Sequence, residues 1–385
     1  MFDSWKRLFA ATACFTLFAT SCRSTVDQAQ VSRDPARDPQ APSADPSDLA
    51  WQHIADLDLL EWSEASIAAG RGIMLFGETR NEPGQRHYLY AYDATARKIV
   101  ASYPLPHRAQ FLGLRANGDF LAAGKSVSPE WAQHLTTLSG DAARFSVQTD
   151  SSHGPRLFEQ FAELDGSLFA SDPGSGSVMD ISARPSRTVL EGLSNPGPVL
   201  ASQGLIAALD IGAGAPGDEN IIAIDPAKGT SRSKWPIGKG KGRGMSALVA
   251  IPGTTLLAVN EWRANRVILV DLQTLETVRE FVTDEMPEGL AVIGSCIAVA
   301  ATEARKLHLF DAMSTQTTPL ASIDYSAHGD RLRSVRAVAA DPSLAGMTLY
   351  LRSVYPWDGG DKKTQSSMFR LDILDADLLK ACGRG

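Results

Sequence analysis

The sequence predicts an all-β fold, a seven-bladed β-propeller with four antiparallel strands in each blade. Short apolar runs alternate with Gly, Pro, Asp and Asn turns, and helical 3.6-residue periodicity is almost absent. An alternating apolar run that ends in Asp or Ser recurs at Asp93, Ser139, Ser182, Asp225, Asp271, Asp311 and Asp372. The gaps between these anchors are 46, 43, 43, 46, 40 and 61 residues, and a period in the forties is typical of one propeller blade per repeat.

The runs around each anchor supply the other strands of a blade. In the first repeat an apolar run, residues 73–78, precedes the anchor, and a weaker mixed run, residues 98–105, follows it. The Asp or Ser side chain can accept hydrogen bonds from backbone N–H groups just ahead and so close the turn. A β-sandwich, or two domains with the repeat in only one, are the alternatives. A sandwich would not return to one motif seven times.

The N-terminal strand is predicted to close the ring. Residues 51–60 precede the first full repeat and can supply the outer strand of the last blade. In the alternative, the last blade is complete and the N-terminal strand only decorates it. Residues 375–382 predict a short helix or tail, and the long final gap holds insertions around 325–333 and 355–367.

The first residues predict an export signal. Lys6 and Arg7 precede an apolar stretch, residues 8–21, that is too short to span a membrane comfortably. Residues 19–22, Ala-Thr-Ser-Cys, resemble the lipobox of bacterial lipoproteins, in which the Cys is lipid-modified after residues 1–21 are removed. The resemblance implies a palmitate-bearing lipoprotein anchored at Cys22. Plain cleavage, which releases a periplasmic protein, is the alternative.

A tether is predicted between the anchor and the propeller. Residues 22–48 hold four prolines and few apolar side chains, so they cannot bury enough surface to offset the entropy of ordering. The propeller is predicted over residues 49–385. By resemblance to the lipoprotein sorting rule, Arg23 after the lipidated Cys implies the outer membrane, with the protein facing the periplasm or the exterior.

Composition narrows the class of protein. The chain has 37 Lys and Arg against 44 Asp and Glu, a net charge of −7, which argues against a nucleic-acid partner. It is 44% hydrophobic and 21% charged, which is typical of a globular protein. Cys296 and Cys382 would lie in an oxidising compartment, where a disulfide is permitted. Alternatively, Cys296 is a buried thiol within an apolar strand.

Two propeller families share patterns with single blades. Residues 264–281 resemble the surface-layer (YVTN-type) propeller repeats, and residues 246–271 more weakly resemble the gluconolactonase and senescence-marker lactonases. Residues 287–290, Pro-Glu-Gly-Leu, are similar to a strand start common to both. The lactonase resemblance implies a divalent metal in the central channel, held by Glu, Asn and Asp side chains from separate blades.

Several polar residues stand at equivalent strand ends and could supply such a metal site. Hard oxygen ligands suit Ca²⁺, and a bound cation could polarise a lactone or a phosphoester. The candidates are Glu78, Asp172, Asp210, Asn260, Glu261 and Glu303. In the alternative reading, the same side chains are ordinary turn residues.

Other residues are candidates for ligand or partner contact. Lys239, Lys241 and Arg243 lie in a Gly-rich run that could bind an anion, although it lacks the ending of a P-loop, and a flexible loop is the alternative. Aromatic and Arg side chains on loops suit protein contacts, and the candidates are Trp262, Arg263, Tyr355 and Trp357.

The histidines and serines match no known hydrolase or haem motif. No G-x-S-x-G, HExxH or C-x-x-C-H pattern occurs. His107, His153 and His328 lie near predicted blade starts and could meet at the channel; solvated loop histidines are the alternative.

The sequence therefore favours a cell-envelope lipoprotein that acts as a binding scaffold for a protein or glycan, and it does not favour an enzyme. A calcium-dependent lactonase or phosphoesterase is one alternative. An accessory lipoprotein subunit of an envelope assembly or secretion complex is another.

Overall fold

The computed structural model divides the chain into two units, Met1–Gln40 and Ala41–Gly385. The described residues are 43–59, 66–78, 87–125, 133–141, 144–150, 158, 160–183, 185–212, 219–234, 244–354 and 364–384. The predicted signal peptide, Cys22 and most of the predicted tether lie outside the described residues.

The described residues form twenty-eight β-strands in seven four-stranded antiparallel sheets, as predicted. The first strand, β1, is Leu49–Leu59 and belongs to the last blade. Each blade is given from the centre outward. Blade 1 consists of β2 Ile67–Gly70, β3 Ile73–Glu78, β4 His87–Asp93 and β5 Lys98–Leu105. Blade 2 consists of β6 Phe111–Leu114, β7 Phe120–Lys125, β8 Gln133–Ser139 and β9 Ser146–Asp150, and blade 3 of β10 Phe161–Leu164, β11 Ser167–Asp172, β12 Ser177–Asp180 and β13 Arg187–Leu190.

The remaining blades follow the same order. Blade 4 consists of β14 Pro196–Ser202, β15 Leu205–Asp210, β16 Asn220–Asp225 and β17 Thr230–Lys234. Blade 5 consists of β18 Leu248–Ala250, β19 Leu256–Glu261, β20 Arg266–Asp271 and β21 Thr277–Val282. Blade 6 consists of β22 Pro287–Ile293, β23 Cys296–Ala301, β24 Lys306–Asp311 and β25 Ala321–Asp324. Blade 7 is β26 Val335–Ala340, β27 Met347–Val354, β28 Thr364–Ile373 and then β1.

The ring closes through β1, which confirms the predicted closure. β1 pairs antiparallel with β28 from Leu49 opposite Ile373 to Leu59 opposite Thr364, with a bulge between His53 and Ala55. The pairing with β1 extends to Thr364, which is where β28 begins. Residues 364–367 were expected within an insertion, but they belong to this strand. The earlier insertion contains a 3₁₀ turn, Ser326–Leu332.

The Asp anchors of blades 1, 4, 5 and 6 close the turns after the third strand. The Asp93 carboxylate accepts hydrogen bonds from the N–H groups of Thr95 and Ala96, both at 2.8 Å. In blade 3 the strand ends at Asp180, two residues before the predicted anchor Ser182. The Asp180 carboxylate accepts from the Ser182 N–H at 3.1 Å, so the acidic side chain has the turn role expected of the serine.

The hydrophobic core lies between neighbouring blades. The described residues contain seven buried apolar clusters, one at each blade interface. All residues of β3 and β23 are buried, because a strand in the middle of a blade is covered by sheets on both faces. Gly124 is required at one such close approach, since an added Cβ would lie 1.8 Å from the Arg108 carbonyl oxygen.

The two faces of the propeller differ in their connections. We define the turn face as the side where the first strand of each blade turns into the second, through hairpins such as 71–72, 203–204 and 294–295. We define the loop face as the opposite side, where each second strand ends. Its longer connections are 79–86, 126–132, 151–160, 211–219, 235–247, 325–334 and 355–363.

The C-terminal segment is fixed to the turn face of blade 6. After β28 the chain forms one α-helix, α1 Ala376–Ala381, with Asp375 as its N-cap. Cys382 forms a disulfide with Cys296 at the start of β23, with a Cα–Cα distance of 5.1 Å. The Ser295 N–H also donates to the Cys382 carbonyl oxygen at 3.0 Å. Among the described residues, no helix is long and apolar enough to cross a membrane.

Candidate functional site

The six predicted metal-site residues all lie on the loop face and come from five blades. They come from the ends of β3, β11, β15 and β19 and from the connection after β23. All except Glu303 are buried. Each buried side chain makes local polar contacts, and these contacts decide what the residue can do.

Asp172 and Asp210 hold the backbone of nearby connections. Asp172 accepts from the Gly174 N–H at 3.1 Å and from the Ser175 hydroxyl at 2.8 Å, which closes the β11–β12 hairpin. Asp210 accepts from the N–H groups of Ser194 at 3.0 Å and Asn195 at 2.8 Å. Both carboxylates thus act as turn residues, as the alternative reading of the sequence expected.

Asn260 joins two blades. Its side-chain oxygen accepts from the N–H groups of Ser246 and Ala247, at 3.0 and 2.7 Å. Its amide nitrogen donates to the Pro287 carbonyl oxygen, at 2.9 Å, on the first residue of the innermost strand of blade 6. This fully buried amide, with partners on both sides, holds the backbone before β18 close to the start of β22.

The remaining acidic candidates have partners of their own. Glu78 accepts from the Tyr90 hydroxyl at 2.7 Å, and Glu261 forms an ion pair with Arg266. Among the described residues, no group of three His, Cys, Asp or Glu side chains is placed to hold a metal ion. A calcium site on this face stays a prediction.

Calcium should leave the stability of the protein unchanged, because the oxygens of Asp172, Asp210 and Asn260 already accept backbone or hydroxyl hydrogens. We expect equal thermal midpoints in EDTA and in millimolar Ca²⁺, measured by differential scanning fluorimetry. A ligand at a hundred times its Kd stabilises by about 2.7 kcal/mol, which would raise the midpoint by a few degrees. Such a rise would contradict this expectation and favour the lactonase alternative. Mg²⁺ at the same ionic strength is the control.

Trp262 and Arg263 form a stacked pair on the loop face of blade 5. They lie in a 3₁₀ turn, Trp262–Ala264, directly after β19. The Arg263 guanidinium lies 4.7 Å from the centre of the indole ring, and Arg263 is exposed while Trp262 is partly buried. An ordered aromatic surface beside an exposed cation suits a protein contact.

Gly244 and Glu219 fix the position of this turn. A Cβ on Gly244, which has a φ of +71°, would lie 2.2 Å from Nε1 of Trp262, so only glycine fits against the ring. The buried Glu219 carboxylate accepts from the Gly244 N–H at 2.9 Å. Lys239, Lys241 and Arg243, just before Gly244, lie outside the described residues. Tyr355, Trp357 and His153 do so as well.

A cluster of three histidines, which sequence reasoning missed, lies between blades 1 and 2. His107 is fully buried and stacks on His134 with the ring centres 5.6 Å apart. Its Nδ1 is 2.7 Å from the Arg108 carbonyl oxygen, and its Nε2 is 2.7 Å from the Thr136 hydroxyl. The predicted meeting of His107 and His328 at the channel is wrong, because His328 instead packs 4.5 Å from Trp51 on the outermost strand of blade 7.

Burial favours the neutral form of His107 and His87. It lowers the pKa of His107 to about 4, assisted by the nearby imidazoles of His134 and His87. Burial and the Arg108 charge also lower the pKa of His87. Since the unfolded chain takes up protons near pH 6.5 and the folded chain does not, acid favours unfolding.

The folded state should lose stability as the pH falls from about 7.5 towards 4. A pKa lowered from 6.5 to about 4 corresponds to a loss of up to about 3 kcal/mol at the acid end of this window. We expect the His107→Gln variant to show a flatter dependence of the unfolding free energy on pH, measured by urea titration. The same substitution at the exposed His53 serves as the control. An equal slope for wild type and His107→Gln would contradict the assignment.

In blade 6 a Ser, a His and an Asp lie in a row. His308 is 2.8 Å from the Ser322 hydroxyl through Nδ1 and 3.2 Å from the Asp284 carboxylate through Nε2. Serine hydrolases use these two ring nitrogens in the opposite sense. Lys306 also contacts Asp284, at 3.0 Å. The arrangement therefore differs from a catalytic triad, and it ties β24, β25 and the connection before β22 together.

Comparisons with known proteins agree on the fold. No protein-family model matches the sequence, and no curated protein matches it. The structure of U3-55K matches with a TM-score of 0.62 at 9% identity, over 86% of this chain and 100% of that one. The crystal structure of the RRP9 WD40 repeats matches with a TM-score of 0.63 at 10% identity, over 87% of this chain and 99% of that one. These likenesses show a shared propeller fold, and sequence-family support for the YVTN-type or lactonase resemblance is lacking.

Proposed function

We propose that the chain is a cell-envelope lipoprotein whose propeller is a binding scaffold, and that the loop face of blade 5 contacts a protein partner. The observation that carries this proposal is the Trp262–Arg263 pair. It is presented on the face with the longer connections and held in place by Gly244 and Glu219. A preordered aromatic surface reduces the entropy lost on binding.

The engaged side chains on the same face favour binding over hydrolysis. Asp172, Asp210 and Asn260 use their oxygens to hold connections in place. A catalytic cation would have to share oxygens that already accept hydrogen bonds, which leaves fewer lone pairs to bind it. The surface they support is, by contrast, already formed.

The disulfide supports the proposed location. Disulfides persist in oxidising compartments such as the periplasm and are rare in the bacterial cytosol. Cys296 and Cys382 are joined here, as a protein exported by the predicted signal would allow. Glycan partners and a role as a subunit of an assembly complex fit the same location, and the experiment below separates them.

A site-specific photocrosslinker tests the binding surface in cells that make the full-length chain. Glu303 on the loop face and Met313 on the turn face are both exposed and both lie in blade 6. We expect a discrete protein adduct from position 303, lost in the Trp262→Ala/Arg263→Ala variant, and none from position 313. Equal adducts from both positions, or a position-303 adduct unchanged by the double variant, would contradict the proposal. A glycosidase-sensitive adduct would instead indicate a glycan.

The lipid anchor is tested separately by Cys22→Ser. We expect the wild-type chain in the membrane fraction after carbonate washing, and the variant in the soluble periplasmic fraction. A variant that stays with the membrane would exclude Cys22 as the anchor. Metabolic labelling with a palmitate analogue provides the direct readout.

A further inference from the structure

The closing strand β1 is the first β-strand of the described residues, and it follows the proposed anchor in the sequence. The inference below rests on the proposed attachment through the N-terminus. It concerns how a force between the anchor and a bound partner would act on the ring. Strand direction and pairing determine the answer.

The chain enters β1 at the turn face. Just before it, Ser43 forms a parallel bridge with Ser322 on the outer strand of blade 6, and the Ala44 N–H is 3.4 Å from the Ser322 carbonyl oxygen. Ser43 and Ala44 therefore run beside β25, in the direction from the turn face to the loop face. A 3₁₀ turn, Pro46–Asp48, capped by Asp45, then leads into β1.

β1 runs the full height of the blade. Leu49 pairs with Ile373 at the turn face, and Leu59 pairs with Thr364 at the loop face. The Leu374 N–H donates to the Asp48 carbonyl oxygen at 2.8 Å, which extends the pairing by one residue at the turn-face end. The strand therefore runs from the turn face, where β1 begins, to the face that we propose binds a partner.

Side chains add contacts along the same strand. Trp51 packs against His328 of the 3₁₀ turn, and Asp56 lies 3.6 Å from the Arg331 guanidinium in that turn. Gln52 reaches the next blade, where it accepts from the Tyr92 hydroxyl at 2.8 Å and donates to the Arg97 carbonyl oxygen at 2.9 Å. The closing strand is thus attached to blade 1 and to the blade 6–7 connection besides β28.

We propose that β1 is a mechanical clamp that resists tension between the N-terminal anchor and a partner on the loop face. Such tension pulls β1 along its own axis, so the β1–β28 hydrogen bonds are loaded together and must break together. Tension between the N-terminus and the turn-face end of β28 acts differently. Leu49 and Ile373 lie side by side at the turn face, so a pull between these two ends separates β1 from β28 one pair at a time.

Single-molecule pulling of the same protein in two directions tests the clamp. One attachment is at the N-terminus in both cases, and the second is at Glu303 on the loop face or at the exposed Leu374 directly after β28. Forced unfolding reports the rate of crossing the unfolding barrier, so the two geometries can be compared directly. We expect the first rupture in the loop-face geometry at a severalfold higher force than in the Leu374 geometry.

Equal rupture forces in both geometries would overturn the clamp, because strand direction would then not govern resistance. The Trp51→Ala variant should keep the difference between the two geometries, since the β1–β28 hydrogen bonds carry the load. Loss of the difference in this variant would also overturn the clamp. The handles replace the lipid, so failure of this test is distinct from failure of Cys22 to anchor the chain.

Discussion

Replacing both cysteines of the Cys296–Cys382 disulfide with alanine should lower the free energy of unfolding by about 4 to 5 kcal/mol. The bond closes a loop of 86 residues, and the chain-entropy model gives this magnitude for a loop of that size. The loss arises mainly because the unfolded chain gains freedom when the cross-link is removed. Guanidinium titration monitored by tryptophan fluorescence is the measurement.

The reducing agent provides an internal control for this prediction. Wild-type protein unfolded in dithiothreitol should match the Cys296→Ala/Cys382→Ala variant, and the variant itself should not respond to dithiothreitol. A variant as stable as the oxidised wild type would mean that α1 and its hydrogen bonds hold the C-terminal segment without the cross-link. Alanine is preferred to serine because both cysteines are fully buried.

The Arg352→Met substitution should destabilise the protein by about 3 to 5 kcal/mol. Arg352 is fully buried in β27 and donates to the Ser366 hydroxyl at 3.0 Å. It also donates to two backbone carbonyl oxygens of blade 1, those of Ser66 at 3.0 Å and Gly77 at 2.6 Å. Methionine fills much of the space but leaves both carbonyls without this donor, and each unsatisfied buried group costs roughly 1 to 3 kcal/mol.

Two further variants test which hydrogen bonds of the Arg352 guanidinium contribute to stability. Ser366→Ala removes one acceptor and should cost about 1 kcal/mol. Arg352→Lys keeps the charge but lacks the planar set of donors, so it should fall between wild type and Arg352→Met. Chemical denaturation gives the order of stabilities. An Arg352→Met variant as stable as wild type would show that the contact between blades 7 and 1 does not depend on this side chain.

The repeat made the fold predictable from sequence, because every blade must bury both faces of its middle strands. The seven anchors therefore return with regular apolar runs, and the closing strand can be recognised as the one run without a repeat of its own. The anchor of blade 3 was predicted two residues too late, at Ser182, for a local reason. Asp180 supplies the carboxylate that closes the turn, and the strand ends there.

The chemistry of single residues was less predictable. Asp210 and Asn260 occupy strand ends in the pattern of a metal site, yet their oxygens are taken up by backbone N–H groups of Asn195 and Ala247. Those partners are distant in the sequence, so no local pattern reveals them. The same limit applies to His107 and Arg352. Each is buried only because a second blade covers it.

The pairing of β1 with β28 also fixes the order of events during synthesis. The first strand of the ring leaves the ribosome early, but its partner β28 follows all the strands of blades 1 to 6. Blade 7 therefore cannot be completed until the other six blades have been made, and its longest-range contacts form last. A chain that is still emerging at that point has an incomplete ring. The ring is completed when the last strand arrives.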